Sequence, residues 1–403
     1  MSIEKGGYMN TEKIKNLSKK YYDRIVEIRH RIHMHPELAF QEHETSKLIA
    51  NELMRMGIEV QNGIAKTGVV GLIKGEKPGK TILLRADMDA LEVQEAADVP
   101  YKSKIKGKMH ACGHDGHIAG VLGAAMILND LKDELHGNIK LVFQPAEETE
   151  GGAKPMIELG IMENPHVDAA IGCHLWGSFK EGEVHIKEGP VMASPDVFTF
   201  KIIGKGGHAG IPHLSIDPIV ITSQVICSIQ SIVSRRVNPL KPVVISCCSI
   251  HGGETNNVIP NEVEVKGTVR TFHQDLRNWI PEAIEEILKT TTKAYGGSYE
   301  FEYSKRFPPL INNEKMAKLA MNSISKIIGE ENVHKQEEAN MGGEDFAYFA
   351  SIVPSVYYFI GITPKNSDTV IHHHPKFGFN DTNLLILSQS MAQVAIDYLN
   401  EFE

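Results

Sequence analysis

Short apolar runs alternate with helical patterns over the first half of the chain, and this alternation restricts the possible folds. The pattern starts with two helices, at residues 14–32 and 45–56, which Pro36 and Gly57 bring to an end. Four strand-like runs and two further helices follow, at residues 69–73, 81–84, 118–131, 139–143, 153–161 and 169–173. Such alternation is typical of an α/β domain in which helices cover a sheet.

The order of the predicted helices and strands changes after Gly189-Pro190. The order becomes βαββαβ, with predicted elements at residues 197–203, 216–234, 243–249, 262–269, 279–295 and 299–304. This order is typical of a ferredoxin-like unit. The α/β pattern returns after residues 307–309. We therefore predict a discontinuous larger domain, residues 1–193 and 306–403, interrupted by a satellite domain at residues 194–305.

Charge and composition limit the partners that we expect. The formal net charge is -9 and the isoelectric point about 6.1, so no broad positive field is available for nucleic acid or for an anionic membrane surface. The longest apolar run, residues 118–128, is far shorter than the roughly 20 residues that span a bilayer. The first ten residues have no apolar signal segment, and the five cysteines are an odd number. We expect a cytoplasmic protein that acts on small molecules.

Five segments combine a hydrophobic run with an immediate cluster of acidic or metal-binding side chains. Open α/β sheets bind ligands at the carboxyl ends of their strands, so these segments are expected to converge. They are residues 83–89, 109–115, 142–148, 171–174 and 370–375.

The side chains in these segments favour a catalytic divalent metal site. Such a site uses imidazole, thiolate or carboxylate ligands and keeps a position open for water, whereas a structural zinc site is usually closed by four Cys or His. The candidates outnumber the ligands of one tetrahedral ion, so a pair of ions that share ligands is attractive, although the sequence leaves the number open. The five candidate ligands are Cys112, His114, Glu148, His174 and His373.

The adjacent carboxylates Glu147 and Glu148 can have separate tasks, because neighbours in an extended segment point in different directions. If Glu148 binds metal, Glu147 is free to move protons. A base beside activated water would take its proton and later deliver it to a departing amine. We predict Glu147 as this general base.

The ordered motifs resemble the aminoacylases and carboxypeptidase G-like enzymes, a family of dinuclear metallopeptidases and amidohydrolases. Within it the chain is most similar to the branch of N-acyl-L-amino-acid amidohydrolases, hippurate hydrolases and auxin-conjugate hydrolases. The resemblance extends from about residue 24 to 381. The motifs lie at residues 31–38, 85–91, 109–117, 144–148, 172–176, 206–209, 257–260 and 341–346.

The resemblance implies a phosphorylase/hydrolase-like catalytic α/β domain with a mixed sheet, and a satellite lid or dimerisation domain. It implies two divalent ions per subunit (Zn, Mn, Co or Ni), with His373 chosen by its place before Pro375. It also implies that Asp89 steers the metal-site geometry. His208 would come from the partner subunit to help bind the oxyanion. Asn257 and Arg270 would contact the carboxylate side of the substrate.

The expected activity is hydrolysis of an N-acyl amino acid, such as an N-acetyl or N-benzoyl derivative, to a carboxylate and an amino acid. Dipeptidase or carboxypeptidase action remains an alternative, as does a biosynthetic deacetylase of an N-acetyl diamino acid. A binding protein without turnover is the non-enzymatic alternative. We expect a homodimer or a higher homo-oligomer, because the sheet edge and helices of the satellite need cover.

Several of these residues also have simpler structural explanations. Arg270 could pair with a neighbouring acid on the sheet surface, and Asp115 is expected to cap a helix that starts near His117. Two positions depart from the family pattern. Glu92 stands where Pro is frequent, and Gly210 stands where Ala is common.

Overall fold

The structure is a computed structural model that describes residues 2–149 and 151–401. It divides into two compact units. The larger comprises Met1–Val191, Ile311–Glu338 and Tyr348–Glu403, and the smaller comprises Met192–Leu310 and Ala339–Ala347.

The observed division differs from the predicted one by a few residues at each end of the insert and by one separate segment. Residues 339–347 were expected in the larger domain, but they belong to the smaller unit. The backbone N–H of Ala193 donates to the carbonyls of Asn340 and Gly342, at 3.1 and 3.0 Å, which joins this segment to the start of the insert. The roles predicted for the two domains, catalysis and dimerisation, stay predictions.

The first part of the chain contains four helices and seven strands among the described residues. They are α1 (Ser2–Met34), α2 (His43–Arg55), β1 (Glu59–Ile64), β2 (Gly68–Lys74), β3 (Lys77–Asp87), α3 (His114–Asp130), β4 (His136–Gln144), α4 (Ala153–Glu158), β5 (Ala169–Lys180), β6 (Val184–Ile186) and β7 (Gly189–Met192).

The middle part contains six strands and two helices among the described residues. It contains β8 (Ser194–Ile203), β9 (Gly207–His208), α5 (Pro218–Ser231), β10 (Val243–His251), β11 (Val258–Ile259), β12 (Glu262–Thr271), α6 (Gln274–Ala294) and β13 (Ser298–Ser304). The last part contains β14 (Leu310–Asn312), α7 (Glu314–Ile328), β15 (Val333–Lys335), α8 (Ala347–Ala350), β16 (Ser355–Thr363) and α9 (Asn383–Glu401).

An eight-stranded mixed sheet forms the centre of the larger unit, in the order β1-β2-β4-β3-β5-β16-β6-β15. The central neighbours β4, β3, β5 and β16 run parallel, whereas β1, β2 and β6 introduce antiparallel pairs. The predicted α/β class with a mixed sheet is confirmed. Parallel central strands are buried on both faces, which explains why their sequences are continuous apolar runs rather than alternating ones.

Helix α3 is the most buried helix near this sheet. Every residue from His114 to Leu128 is buried, and the helix packs against α1 and α9. The uninterrupted apolar run at residues 118–128 therefore reflects burial on all sides. None of the helices in the described ranges is long and apolar enough to cross a membrane.

The smaller unit contains a four-stranded antiparallel sheet in the order β10-β12-β8-β13, with α5 and α6 following the βαββαβ pattern. This strand order is the ferredoxin-like one. Apolar side chains from β8, including Phe198 and Phe200, pack into a core with residues of both helices. The buried Asp196 carboxylate binds the Arg277 guanidinium at 2.8 and 2.9 Å and ties β8 to α6.

Candidate metal centre

The parallel strands of the larger unit bring the predicted motifs to one edge of the sheet. Strand β3 ends at Asp87 and its parallel neighbour β4 ends at Gln144, so Asp89 and Glu147 follow neighbouring strand ends. His174 lies on β5, the other parallel neighbour of β3. Helix α3 begins at His114, directly after Gly113, whose φ of +92° is the left-handed conformation that glycine adopts without strain.

The five predicted ligands form overlapping clusters. The ligand atoms of Cys112, His114 and His174 lie within 4.8 Å of one another, as do those of Cys112, Glu148 and His373. Cys112 Sγ is 3.4 Å from His174 Nε2. Glu148 Oε1 is 3.8 Å from His114 Nε2 and 3.3 Å from His373 Nε2. Cys112 is common to both groups, and Glu148 of the second group also lies near His114 of the first, which is an arrangement suited to two adjacent ions.

In their neutral forms, two of the imidazoles present a free lone pair to the cluster. His114 Nδ1 donates to the carbonyl of Asp89 at 2.9 Å, and His174 Nδ1 donates to the carbonyl of Leu175 at 2.8 Å. Each bond leaves Nε2 unprotonated in the neutral ring, as metal ligation requires. His114 Nε2 is buried and has no hydrogen-bond partner among the described residues. Unsatisfied buried atoms of this type fit ligands to a divalent ion.

Asp89 organises the carboxylate side of the cluster. Its two side-chain oxygens accept the backbone N–H groups of Glu147 and Glu148, at 2.9 and 3.0 Å. Its carbonyl accepts from His114, so one residue holds three neighbours of the centre. The predicted steering role of Asp89 agrees with these contacts and stays a prediction about metal binding.

The backbone before Glu147 adopts an uncommon conformation. Ala146 has a φ of +56°, in the left-handed region that residues with a Cβ enter at a cost of roughly 1–2 kcal/mol. The buried Glu42 carboxylate accepts the Ala146 N–H at 3.0 Å and the Thr67 hydroxyl at 2.6 Å. Glu42 therefore helps to maintain the turn that aims Glu147 and Glu148. Sequence reasoning missed Glu42, because its partner is 104 residues away along the chain.

The electrostatics of the cluster favour a positive charge between its carboxylates. Burial, together with the charge of Glu148, raises the pKa of the Cys112 thiol well above its usual value. Burial lowers the pKa of His174 well below its usual value. Burial also opposes the charged form of His114, but Asp87 and Asp89 outweigh it and raise the pKa of His114 to about 10. A divalent ion would supply the positive charge that these carboxylates stabilise.

A second series of contacts, from Asp87 through His117, supports the proposed ligand His174. Asp87 Oδ1 accepts from His117 Nδ1 at 2.6 Å, and His117 Nε2 accepts the N–H of Leu175 at 3.0 Å. The His117 ring lies 4.6 Å from the His174 ring, centroid to centroid. Burial disfavours the charged form of Asp87, but His114, His117 and Arg85 together lower its pKa well below the usual value.

His372 is a neighbour of the centre that the sequence did not single out as a ligand. Its Nε2 accepts the N–H of Gly177 at 2.9 Å, so Nδ1 carries the proton of the neutral ring and faces Cys112 Sγ at 3.8 Å. Gly177 permits this close approach, because a Cβ there would lie 1.9 Å from the carbonyl oxygen of Val370. The run of three histidines in the sequence was the available signal, but it does not specify which ring faces inward.

Asp115 is not the helix cap that the sequence predicts. Helix α3 begins at His114 rather than near His117, and Asp115 lies inside its first turn. The Asp115 carboxylate instead accepts from Arg29 Nε at 3.1 Å and from His33 Nδ1 at 2.9 Å. Both partners come from α1, so a local capping rule cannot find them.

Comparison with known proteins establishes the family. The model of peptidase family M20/M25/M40 matches residues 83–397. The chain belongs to this M20 family. It is 40% identical over 395 residues to thermostable carboxypeptidase 2 of Saccharolobus solfataricus, with 97% of this chain and 99% of the relative covered. It is 44% identical over 308 residues to N-acyl-L-amino acid amidohydrolase of Geobacillus stearothermophilus, with 76% and 83% covered.

A solved structure supports the same assignment. The dinuclear metal-binding peptidase of the M20 family from Bacillus subtilis has 35% sequence identity and a TM-score of 0.82, with 95% of this chain and 99% of that chain covered. The resemblance to metal-dependent amidohydrolases is therefore confirmed at the level of the family. The individual ligand and base assignments in this M20 chain stay predictions.

The remaining predicted residues of this M20 chain lie in the smaller unit. His208 and Val258 pair across the β9–β11 ribbon, and the carbonyl of Asn257 accepts the N–H of Ala209 at 3.1 Å. Arg270 on β12 donates to the Thr268 hydroxyl and to a backbone carbonyl, rather than to the acid of the simpler explanation. Burial lowers the pKa of Arg270.

The two departures from the M20 pattern differ in their surroundings. Glu92 is exposed. Gly210 donates its N–H to His208 Nδ1 at 2.9 Å, and a Cβ at this position would lie 3.1 Å from the ring carbon of His208. Glycine therefore gives the His208 ring more room than the alanine that is common here.

Proposed function

We propose that this M20 chain hydrolyses the amide bond of N-acyl amino acids with the help of two divalent ions per subunit. The convergence of the five candidate ligands beside Glu147 is the observation that carries the proposal. The amidohydrolase name of the Geobacillus stearothermophilus relative supports the substrate class. The description of the Bacillus subtilis structure as dinuclear supports the number of ions.

The ion ligands would be the thiolate, imidazole and carboxylate groups of the cluster. When bound, divalent ions acidify water and polarise a carbonyl oxygen, which is the chemistry that amide hydrolysis requires. Mixed imidazole, thiolate and carboxylate ligands suit Zn, Mn, Co or Ni. The proposed ligand set is Cys112, His114, Glu148, His174 and His373.

Glu147 would handle the protons of the reaction. Its carboxylate takes a proton from the attacking water and later delivers it to the nitrogen of the leaving amine. Asp89 fixes the direction of this side chain through the Glu147 N–H. Glu147 and Glu148 are each oriented through their own backbone N–H. One carboxylate can therefore transfer protons while the other binds an ion.

His208 would stabilise the oxyanion from the partner subunit. Its Nδ1 accepts the N–H of Gly210, so the proton of the neutral ring is on Nε2 and can be donated to a developing negative charge. His208 is exposed, and therefore available to a second copy of the chain. Arg270 and Asn257 would bind the carboxylate of the amino-acid product.

Peptidase action is the second candidate. The name of the Saccharolobus solfataricus relative, a carboxypeptidase, favours it. The same ions and the same base would cleave a peptide bond, so only the group on the acyl side separates the two activities. A biosynthetic deacetylase of an N-acetyl diamino acid is a narrower version of the first proposal.

A substrate panel tests the proposal directly. Metal-free enzyme is supplied with Zn, Mn, Co or Ni, and amine release is measured with N-acetyl amino acids, N-benzoyl amino acids and unblocked dipeptides. We expect metal-dependent turnover with higher kcat/KM for N-acyl amino acids than for dipeptides. Faster turnover of dipeptides would establish the peptidase activity, and no metal-stimulated release across the panel would refute both.

The oligomeric state and the location of the protein remain predictions. A homodimer follows from the proposed role of His208. The five cysteines are free thiols in the structure, which agrees with the cytoplasmic location expected from the sequence.

A further inference from the structure

A second group of metal-binding side chains lies at the edge of the eight-stranded sheet. Strand β15 is the outermost strand and pairs in parallel with β6, with His334 directly opposite His185. Residues opposite each other in a ladder point to the same face, and so do residues two apart in an extended segment. Glu183, two residues before His185, therefore shares this face. All three residues belong to the larger unit.

The ligand atoms of this group are close enough to surround one ion. Glu183 Oε2 is 3.1 Å from His185 Nε2, and Glu183 Oε1 is 4.0 Å from His334 Nε2. All three ligand atoms lie within 4.8 Å of one another. Bonds of about 2.0–2.2 Å in a tetrahedral site place neighbouring ligand atoms about 3.3–3.6 Å apart. A small rotation of His334 would reach that spacing.

The packing of this group holds the ligands in place. The Phe179 ring stacks on the His185 ring, with centroids 3.7 Å apart and planes 9° from parallel. The side chain of His185 is 15% exposed and that of Glu183 is 29% exposed. The carbonyl of Glu183 accepts the N–H of Gly361 at 2.9 Å, which anchors the residue to β16. Only His334, with its side chain 40% exposed, is left to adjust.

The charges of the group favour an ion over a simple salt bridge. Two imidazole rings with centroids 4.8 Å apart would repel each other if both were protonated to pair with Glu183. In their neutral forms the same rings offer lone pairs beside one carboxylate. A shared divalent cation uses all three groups without that repulsion.

We propose that Glu183, His185 and His334 form a further divalent-cation site, which has no residue in common with the Cys112 cluster. Two imidazoles and one carboxylate select Zn, Ni, Cu or Co over Ca and Mg, which prefer oxygen ligands. An ion there joins the three-residue edge strand β15 to β6 and restrains it. The inference does not depend on the proposed amidohydrolase function.

Zinc stoichiometry of the full-length protein tests this site. Equilibrium dialysis with elemental analysis compares the wild type with His334→Gln, which removes the most exposed ligand. His166→Gln is the matched control, because His166 is exposed and pairs with a single glutamate, Glu163, at 3.2 Å. We expect His334→Gln to bind about one zinc fewer per chain at free zinc about tenfold above the wild-type Kd of this site, and His166→Gln to match the wild type.

A conservative variant separates loss of a ligand from loss of structure. His334→Asp keeps a ligand atom and should regain the additional zinc with at least about tenfold weaker affinity. Zinc should also raise the thermal midpoint of the wild type more than that of His334→Gln. Equal stoichiometry in the wild type and His334→Gln would overturn the proposal. So would an equal loss in His166→Gln, or failure of His334→Asp to regain the zinc.

Discussion

Glu147 and Glu148 show how one backbone segment can orient two neighbouring carboxylates separately. Asp89 accepts both of their N–H groups, and the left-handed Ala146 precedes them. Glu148 Oε1 faces His114 and His373, which suits a ligand. We therefore keep Glu147 as the predicted proton-transfer residue.

The substitution Glu147→Gln tests this division of tasks. Glutamine preserves the size of the side chain but cannot accept a proton, so we expect kcat to fall by roughly 100- to 10,000-fold with little change in metal content. Metal analysis and steady-state kinetics measure the two effects. Glu158→Gln, at an exposed helical position, is the control. Wild-type turnover in Glu147→Gln would eliminate Glu147 as the base.

The substitution Asp89→Asn tests the steering role. One side-chain oxygen is replaced by an NH₂ group that cannot accept the N–H of Glu147 or Glu148. We expect metal affinity or kcat/KM to fall by about 10- to 100-fold, as for other residues that orient metal ligands. Titration of metal-free protein and kinetics at saturating metal separate the two. Unchanged values in both would show that the Asp89 bonds are dispensable.

At the scale of elements, a buried ion network connects α1 to α3. Asp115 of α3 binds Arg29 and His33 of α1, and His33 Nε2 is 3.3 Å from Glu95 Oε1. Burial opposes the charged form of His33, but Asp115 and Glu95 outweigh it and raise the pKa of His33 from 6.5 to about 9. The network thus stabilises the protonated ring in the folded protein.

This raised pKa predicts a definite pH dependence. The folded state binds the proton more tightly than the unfolded state, so the stabilisation is complete below pH 6.5 and is lost as the pH rises through about 9. The shift corresponds to at most about 3 kcal/mol. Thermal unfolding is measured for the metal-free wild type and for His33→Gln at pH 6.5 and 9. The thermal midpoint should fall more between these two pH values in the wild type than in His33→Gln.

His114 also loses its proton in this pH range in metal-free protein. The test therefore compares the fall in thermal midpoint of the wild type with the fall in His33→Gln. His166→Gln, an exposed position, should behave as the wild type does. Parallel curves for the wild type and His33→Gln would contradict the assignment of the raised pKa to His33.

At the scale of the whole molecule, the predicted catalytic residues are distributed between two units. The proposed ion ligands and Glu147 belong to the larger unit, and His208 belongs to the smaller one. If His208 is recruited from a partner subunit, as proposed, only the assembled oligomer has a complete active site. Sedimentation should therefore show an active species no smaller than a dimer.

Mixing two inactive variants tests this recruitment. Glu147→Gln retains His208, and His208→Ala retains Glu147, so a mixed dimer contains one complete site if His208 acts across subunits. Random exchange would restore about a quarter of wild-type activity, since half of the dimers are mixed and each has one working site of two. No recovery after verified subunit exchange would place His208 in the site of its own chain.

The sequence by itself determined the features that depend on neighbouring residues. Hydrophobic periodicity indicated the α/β class, the βαββαβ order indicated the insert, and motif order indicated the family. The types of candidate ligand, such as the Cys112-Gly113-His114 motif, were also visible. These signals are local, because helices and strands repeat over a few residues and strand ends follow directly from them.

Only the tertiary structure decided which of these groups meet and in which chemical form. It turned His372 toward Cys112, selected the tautomers of His114 and His174, and paired Asp115 with Arg29, 86 residues away along the chain. It also brought His185 opposite His334. The physical reason is that such contacts depend on the packing of whole elements, whose relative positions no short stretch of sequence encodes.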